Sequence, residues 1–230
     1  MAALATGGSN PDVSLLYRIN GLAESTPGWL DRILGIVGEY GILLGLVLLV
    51  LWCWRGARRQ GEAAAVESFT ALVWTPLAAG LALLVNVPLR EFVGRPRPFK
   101  SHEGLDVLAP GKSDFSFVSD HATLAMALGV GLFVANRRLG LVGIGLALLE
   151  GLFRVFMGVH YPTDVVGGLA LGTAVVLLLA PLALALLSPV VRAVARTPRL
   201  RLLVRSRRVE RLPAMDLSQD QGASERGLAA

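Results

Sequence analysis

Charge is what this sequence has least of. Asp, Glu, Lys and Arg make up 17% of its 230 residues, against about 25% in ordinary soluble domains. With 53% hydrophobic residues and a mean hydropathy of +0.59, that deficit excludes an ordinary soluble domain and points to a membrane protein. Cysteine occurs once, at Cys53, which excludes an internal disulfide framework and any multi-cysteine metal site. The first dozen residues hold neither a positive segment nor an apolar one, so no cleavable signal peptide is expected and the first span serves as the targeting signal. Internal repeats and long low-complexity tracts are absent too, and the apolar runs lack the alternation of a barrel strand.

What is present is a set of long uncharged runs, at 41–54, 68–89, 121–136, 139–149 and 165–191. A helical span needs ~20 apolar residues, and helices satisfy every backbone group inside a bilayer. Spans are therefore expected over roughly 30–54, 64–88, 119–135, 139–158 and 163–187, with Pro76 and Gly80 kinking the second. Asn10-Pro11 reads as a helix cap followed by proline in the first turn, opening a short helix over DVSLLYRINGL that is too short to span and lies at the interface. The expectation is an all-α, polytopic membrane helical bundle of about five transmembrane helices plus that N-terminal interfacial helix. Its divisions are an interfacial segment at 1–29, a transmembrane domain at 30–188 and a basic tail at 189–230, disordered from about residue 213.

Arginine sets the expected orientation. Arg55, Arg58 and Arg59, then Arg137 and Arg138, then Arg192, Arg196, Arg199, Arg201 and further tail arginines fall on one side, which the positive-inside rule makes cytoplasmic. The tail is expected to hold anionic lipid headgroups. The N-terminus, the loop at 89–118 and the turn carrying His160 then lie outside. Arg90, Arg95, Arg97, Lys100 and Lys112 sit on that outer side against the rule, which is better explained by an anion site.

Three segments converge there: REFVGRPRP, SDHA and RVFMGVHYPTD. Arg90, Arg97 and Arg154 are planar, permanently charged forks suited to phosphate oxygens. Ser119 and Asp120 stand at a helix start, where backbone N–H groups favour an anion. His121 and His160 supply what phosphoryl transfer to water needs, one to attack phosphorus and one to protonate the leaving oxygen. Asp164, four residues after His160, is placed to accept its Nδ1–H and hold Nε2 toward phosphorus. Blander readings stand beside these: Glu150 and Arg154 form a buried ion pair, Ser119 is a plain cap, Arg95 and Lys100 position the site, Glu39 faces protein and His102 is solvated. Charges at membrane depth also suit a transporter, although they cluster at one face.

Arg90 with Arg97-Pro98, then Ser119-Asp120-His121, then Arg154, His160 and Asp164 resemble the signature of the type 2 phosphatidic acid phosphatase (PAP2) superfamily, K-x6-R-P, P-S-G-H and S-R-x5-H-x3-D. The resemblance covers about residues 64–188. It implies a metal-independent phosphatase working through a phosphohistidine, without cofactor or nucleic-acid partner. His160 would be the nucleophile, Asp164 its orienting partner and His121 the general acid; Arg90, Arg97, Ser119 and Arg154 would bind phosphate, with Asp120, Arg95 and Glu150 in support. Arg90 replaces Lys, Val118 replaces Pro, Asp120 replaces Gly and Phe153 replaces Ser. The S-D-H and R-P-R-P-F wording resembles the bacterial subgroup that converts undecaprenyl diphosphate to the monophosphate in a cell membrane. Phosphatidate and phosphatidylglycerol phosphate are the alternative substrates, and a catalytically dead relative and a metal-dependent phosphatase are the rival classes.

Overall fold

The computed structural model of the chain describes residues 10–23, 26–109 and 113–204. Among these residues every regular element is a helix. Helix α1 (Pro11–Asn20) starts where expected, with the Asn10 side chain accepting the Asp12 N–H at 3.0 Å. Helix α2 (Gly28–Ile36), a π-helical turn (Val37–Gly41) and α3 (Ile42–Ala57) follow one another without a break. Helix α4 (Glu62–Val93) continues through Pro76 and Pro88 and ends at Gly94, whose φ of 59° is the left-handed conformation glycine adopts without penalty. After the short α5 (Pro98–Ser101) come α6 (Asp120–Ala135), α7 (Arg137–Phe156) and α8 (Pro162–Arg196), then α9 (Arg201–Val204). The expected disordered stretch from about residue 213 lies outside the described residues.

Among the described residues four helical segments are long and apolar enough to cross a membrane. Helix α6 is the exception at 16 residues, about 24 Å at 1.5 Å per residue, short of a hydrocarbon core of ~30 Å. It occupies the middle of the bundle, packed against α3, α4, α7 and α8, so protein rather than lipid surrounds it. Small residues allow that close approach. A Cβ on Gly129 would lie 2.8 Å from the carbonyl carbon of Gly143, and one on Gly172 would lie 2.5 Å from the Thr123 carbonyl oxygen. Such contacts are how helices associate where lipid is as apolar as the side chains. The core around them holds Leu46, Trp74, Ala78, Met126, Ala147 and Val176. Large apolar side chains face outward, among them Leu84, Leu178 and Trp52, the inverse of a water-soluble surface. The chain is a membrane protein.

The N-terminal helix has a protein berth. Val13 and Leu16 of α1 pack with Ala122, Val155, Tyr161 and Val165. Asn20 donates to the carbonyls of Asp106 and Phe156 at 2.8 Å each and accepts the Asp106 N–H at 2.9 Å. The helix thus ties the α4–α6 connection to the end of α7.

Candidate active site

At one end of the bundle α4 ends, α6 begins, α7 ends and α8 begins. The three sequence segments therefore meet. Their arrangement is easiest to follow from His160, which lies in the turn between α7 and α8 and is 2% exposed. Its Nδ1 is 2.9 Å from the Ser116 carbonyl oxygen. A carbonyl only accepts, so Nδ1 carries the proton and Nε2 holds the lone pair. Nε2 in turn lies 3.3 Å from Nη1 of Arg97. Burial holds this ring below the usual histidine range; the charges of Arg97 and Arg154 act in the same direction, and Asp164 opposes them.

Asp164 departs from its expected place. Its Oδ2 is 3.7 Å from the His160 Nδ1, too far for a hydrogen bond. The carboxylate instead accepts the Tyr161 N–H at 2.9 Å and Arg95 Nη1 at 2.9 Å. The physical reason is position: Asp164 is the third residue of α8, where a carboxylate caps the helix start. Asp164 meets the ring by charge, and the Ser116 carbonyl takes the proton the sequence reading assigned to it.

Arg90 and Arg97 converge on one carboxylate. Asp114 accepts Arg90 Nη1 at 2.6 Å through Oδ2, and Arg97 Nη2 and Nε at 2.8 and 3.1 Å through Oδ1. Burial disfavours the charge on Asp114, but the Arg97 hydrogen bonds and both guanidinium charges outweigh it and hold the carboxyl below its usual range. Arg90 also pairs closely with Asp120. Two arginines aimed at one carboxylate make an anion seat. Ser119 caps α6 beside it, its Oγ accepting the Ala122 N–H at 3.4 Å, and its own N–H donates to the Asp164 carbonyl at 3.1 Å.

Arg154, near enough to act on the His160 ring by its charge, pairs with Glu150 as expected and also with the first span. It is fully buried, with Nη1 donating to Glu39 Oε2 at 2.8 Å, Nη2 to the Gly38 carbonyl, and Nε 3.3 Å from Glu150 Oε1. Its guanidinium is engaged with the first span. His121, in the first turn of α6, has Nε2 at 3.7 Å from Glu39 Oε1. Arg95 bridges Asp164 and Asp12, donating to the latter at 2.6 Å, and its guanidinium carbon stands 3.6 Å above the Tyr161 ring. His102, expected to be solvated, is half-buried edge-on to Tyr17 and Tyr161. Among the described residues no three His, Cys, Asp or Glu side chains converge as a metal site requires.

A buried histidine with its lone pair beside an arginine seat suits phosphoryl transfer, and known proteins agree. Residues 71–186, about half of the chain, match the model of the PAP2 superfamily. The chain belongs to that superfamily. It is similar to an undecaprenyl-diphosphatase of Bacillus subtilis (strain 168), 30% identical over 141 residues, 61% of this chain and 68% of that protein. It is also similar to the decaprenylphosphoryl-5-phosphoribose phosphatase of Mycobacterium tuberculosis (strain ATCC 25618 / H37Rv), 30% identical over 71% of this chain and 86% of that one. A solved transmembrane PAP2-type phosphatidylglycerolphosphate phosphatase of Bacillus subtilis shares the fold, with a TM-score of 0.52 and 23% identity over 76% of this chain and 87% of its own. The protein is a PAP2 phosphatase.

In this PAP2 phosphatase each departure from the family signature has a local partner. Val118, standing for proline, is clamped by Asn86, which donates to its carbonyl at 3.0 Å and accepts its N–H at 3.3 Å. Asp120, standing for glycine, accepts Asn86 Nδ2 at 2.6 Å and pairs with Arg90. Phe153, standing for serine, packs against Gly38, where an added Cβ would come within 2.9 Å of its Cδ1. Asn86, Asp114, Ser116 and Asp12 were missed by the sequence reading. Asn86 carried a signal, being the one polar side chain between Thr75 and Arg90; Ser116 acts through its backbone, and its side chain signals nothing.

Proposed function

We propose that this PAP2 phosphatase hydrolyses a polyprenyl diphosphate, undecaprenyl diphosphate to the monophosphate, through a phosphohistidine on His160. The observation that carries this is the His160 ring: Nδ1–H given to the Ser116 carbonyl, Nε2 bearing its lone pair next to Arg97 at the anion seat. Nε2 attacks the terminal phosphorus, the bond from phosphorus to the bridging oxygen breaks, and His121 protonates the oxygen that leaves. Water then attacks the phosphohistidine, giving up a proton to His121, and inorganic phosphate departs. Arg90, Arg97 and the start of α6 hold the phosphate oxygens when substrate displaces Asp114. Asp164 and Arg95 brace the ring from behind, and Arg154, with Glu150, adds its buried charge from the α7 side.

The substrate reading is supported by the undecaprenyl-diphosphatase relative and by a candidate site at the ends of long apolar helices, where the tail of a polyprenyl substrate would stay in the bilayer. The arginines of the α3–α4 turn, the α6–α7 turn and the tail favour a cytoplasmic C-terminus resting on anionic headgroups, with the site on the extracytoplasmic face. The deciding experiment measures phosphate release by detergent-purified protein in excess EDTA, from undecaprenyl diphosphate, phosphatidate and phosphatidylglycerol phosphate side by side. Preference for the diphosphate is expected. Preference for a glycerolipid phosphate moves the enzyme to that chemistry, and release that collapses with EDTA removes the metal-free mechanism.

A further inference from the structure

Glu39 stands in the first span, outside all three family segments. The π-helical turn that carries it is widened by one residue: the Ile42 N–H, which an α-helix would direct to Gly38, goes to the Val37 carbonyl. The Gly38 carbonyl accepts Arg154 Nη2 instead. This turn can approach α7 because residue 38 has no side chain; a Cβ there would meet Phe153 at 2.9 Å and Met157 at 3.0 Å. Glu39 is thereby delivered between Arg154 and His121, with Oε2 2.8 Å from Arg154 Nη1 and Oε1 3.7 Å from His121 Nε2. The second distance is ion-pair range and beyond a hydrogen bond, so the coupling to His121 is one of charge. Asp120 pairs with Arg90 and Asp164 with Arg95, and Glu39 stands within ion-pair range of His121.

We infer that Glu39 is a positioning residue for the general acid: Arg154 fixes its carboxylate, and the carboxylate orients His121 and favours the ring in its positive, proton-carrying form. The inference rests on the assignment of His121 as general acid made above. It extends the working site to the first span.

The test compares two substrates, a short-chain phosphatidate, whose alkoxide leaves only with a proton, and p-nitrophenyl phosphate, whose phenolate leaves without one. Glu39→Gln should lower kcat on phosphatidate about tenfold or more while changing KM little, and should leave the first, stoichiometric release of p-nitrophenolate, which precedes the water step, near its wild-type rate. Glu39→Asp, which keeps the charge but withdraws it by one methylene, should fall between the two on phosphatidate. Equal losses on both substrates would mark Glu39 as structural and overturn the inference. Wild-type rates in Glu39→Gln overturn it too, and if His121→Ala still loses phosphatidate selectively, the acid assignment survives. A His121→Ala variant without that selectivity removes the acid assignment and this inference together. Should Glu39→Gln fail to fold for want of a partner for Arg154, Glu39→Asp decides alone, a several-fold selective loss supporting the inference and equal losses refuting it.

Discussion

At the scale of single residues, the titratable groups of the candidate site are set by defined neighbours. The Ser116 carbonyl sets the tautomer of His160, and burial with the nearby guanidinium charges lowers its pKa, favouring the neutral ring. A nucleophilic histidine acts in its neutral form, which prevails above its pKa; because that value is held below the usual ~6.5, turnover should persist as pH falls through 6.5 and fail only lower. Arg97→Gln removes one of the depressing charges, so the acid limb of its kcat profile should move to higher pH; a limb that stays put contradicts the assignment. His160→Ala should abolish phosphate release while the purified protein keeps its helical circular dichroism. Asp114 tests the anion seat. It competes with substrate for Arg90 and Arg97, so Asp114→Asn should strengthen inhibition by inorganic phosphate roughly fivefold, equivalent to ~1 kcal/mol, read as a lower inhibition constant.

At the scale of elements, the bundle depends on how near α6 comes to its neighbours. Gly129 and Gly143 bring α6 and α7 together without side chains between them, which aligns Ser119 to His121 with the end of α7. Gly129→Val should cost about 1–3 kcal/mol by forcing the helices apart, measured as a lower Tm in detergent, with activity falling in step. Element boundaries were largely legible from uncharged runs and from Asn10-Pro11, Ser119 and Pro162 at helix starts. Other features were not. The π-helical turn within the first span leaves no trace in hydropathy, because GEYG reads as an ordinary interruption in an apolar run. The central place of α6 was equally hidden, since its composition matches that of a lipid-facing span; its shortness is tolerated because protein covers it on every side.

At the scale of the whole molecule, the charge-poor belt and the two polar ends are set by composition. A reporter fused after Gly111 should read extracytoplasmic in intact cells, and a cytoplasmic signal would reverse the proposed orientation. Composition and the length of the apolar runs by themselves determined that the protein is an all-α membrane bundle, the resemblance of its motifs to the PAP2 signature pointed to the family, and the place of those motifs at helix ends led to the expectation that the three segments would converge. Those properties follow from periodicity and local motifs, which a linear chain records. Only the tertiary structure decided which groups touch. It assigned the His160 proton to a backbone carbonyl, turned Arg154 toward Glu39, seated Asp114 between Arg90 and Arg97, and docked Asp12 of α1 on Arg95. Each pairing joins residues far apart in the chain, and the choice among several competing carboxylates depends on distances of an ångström or less that residue spacing does not encode.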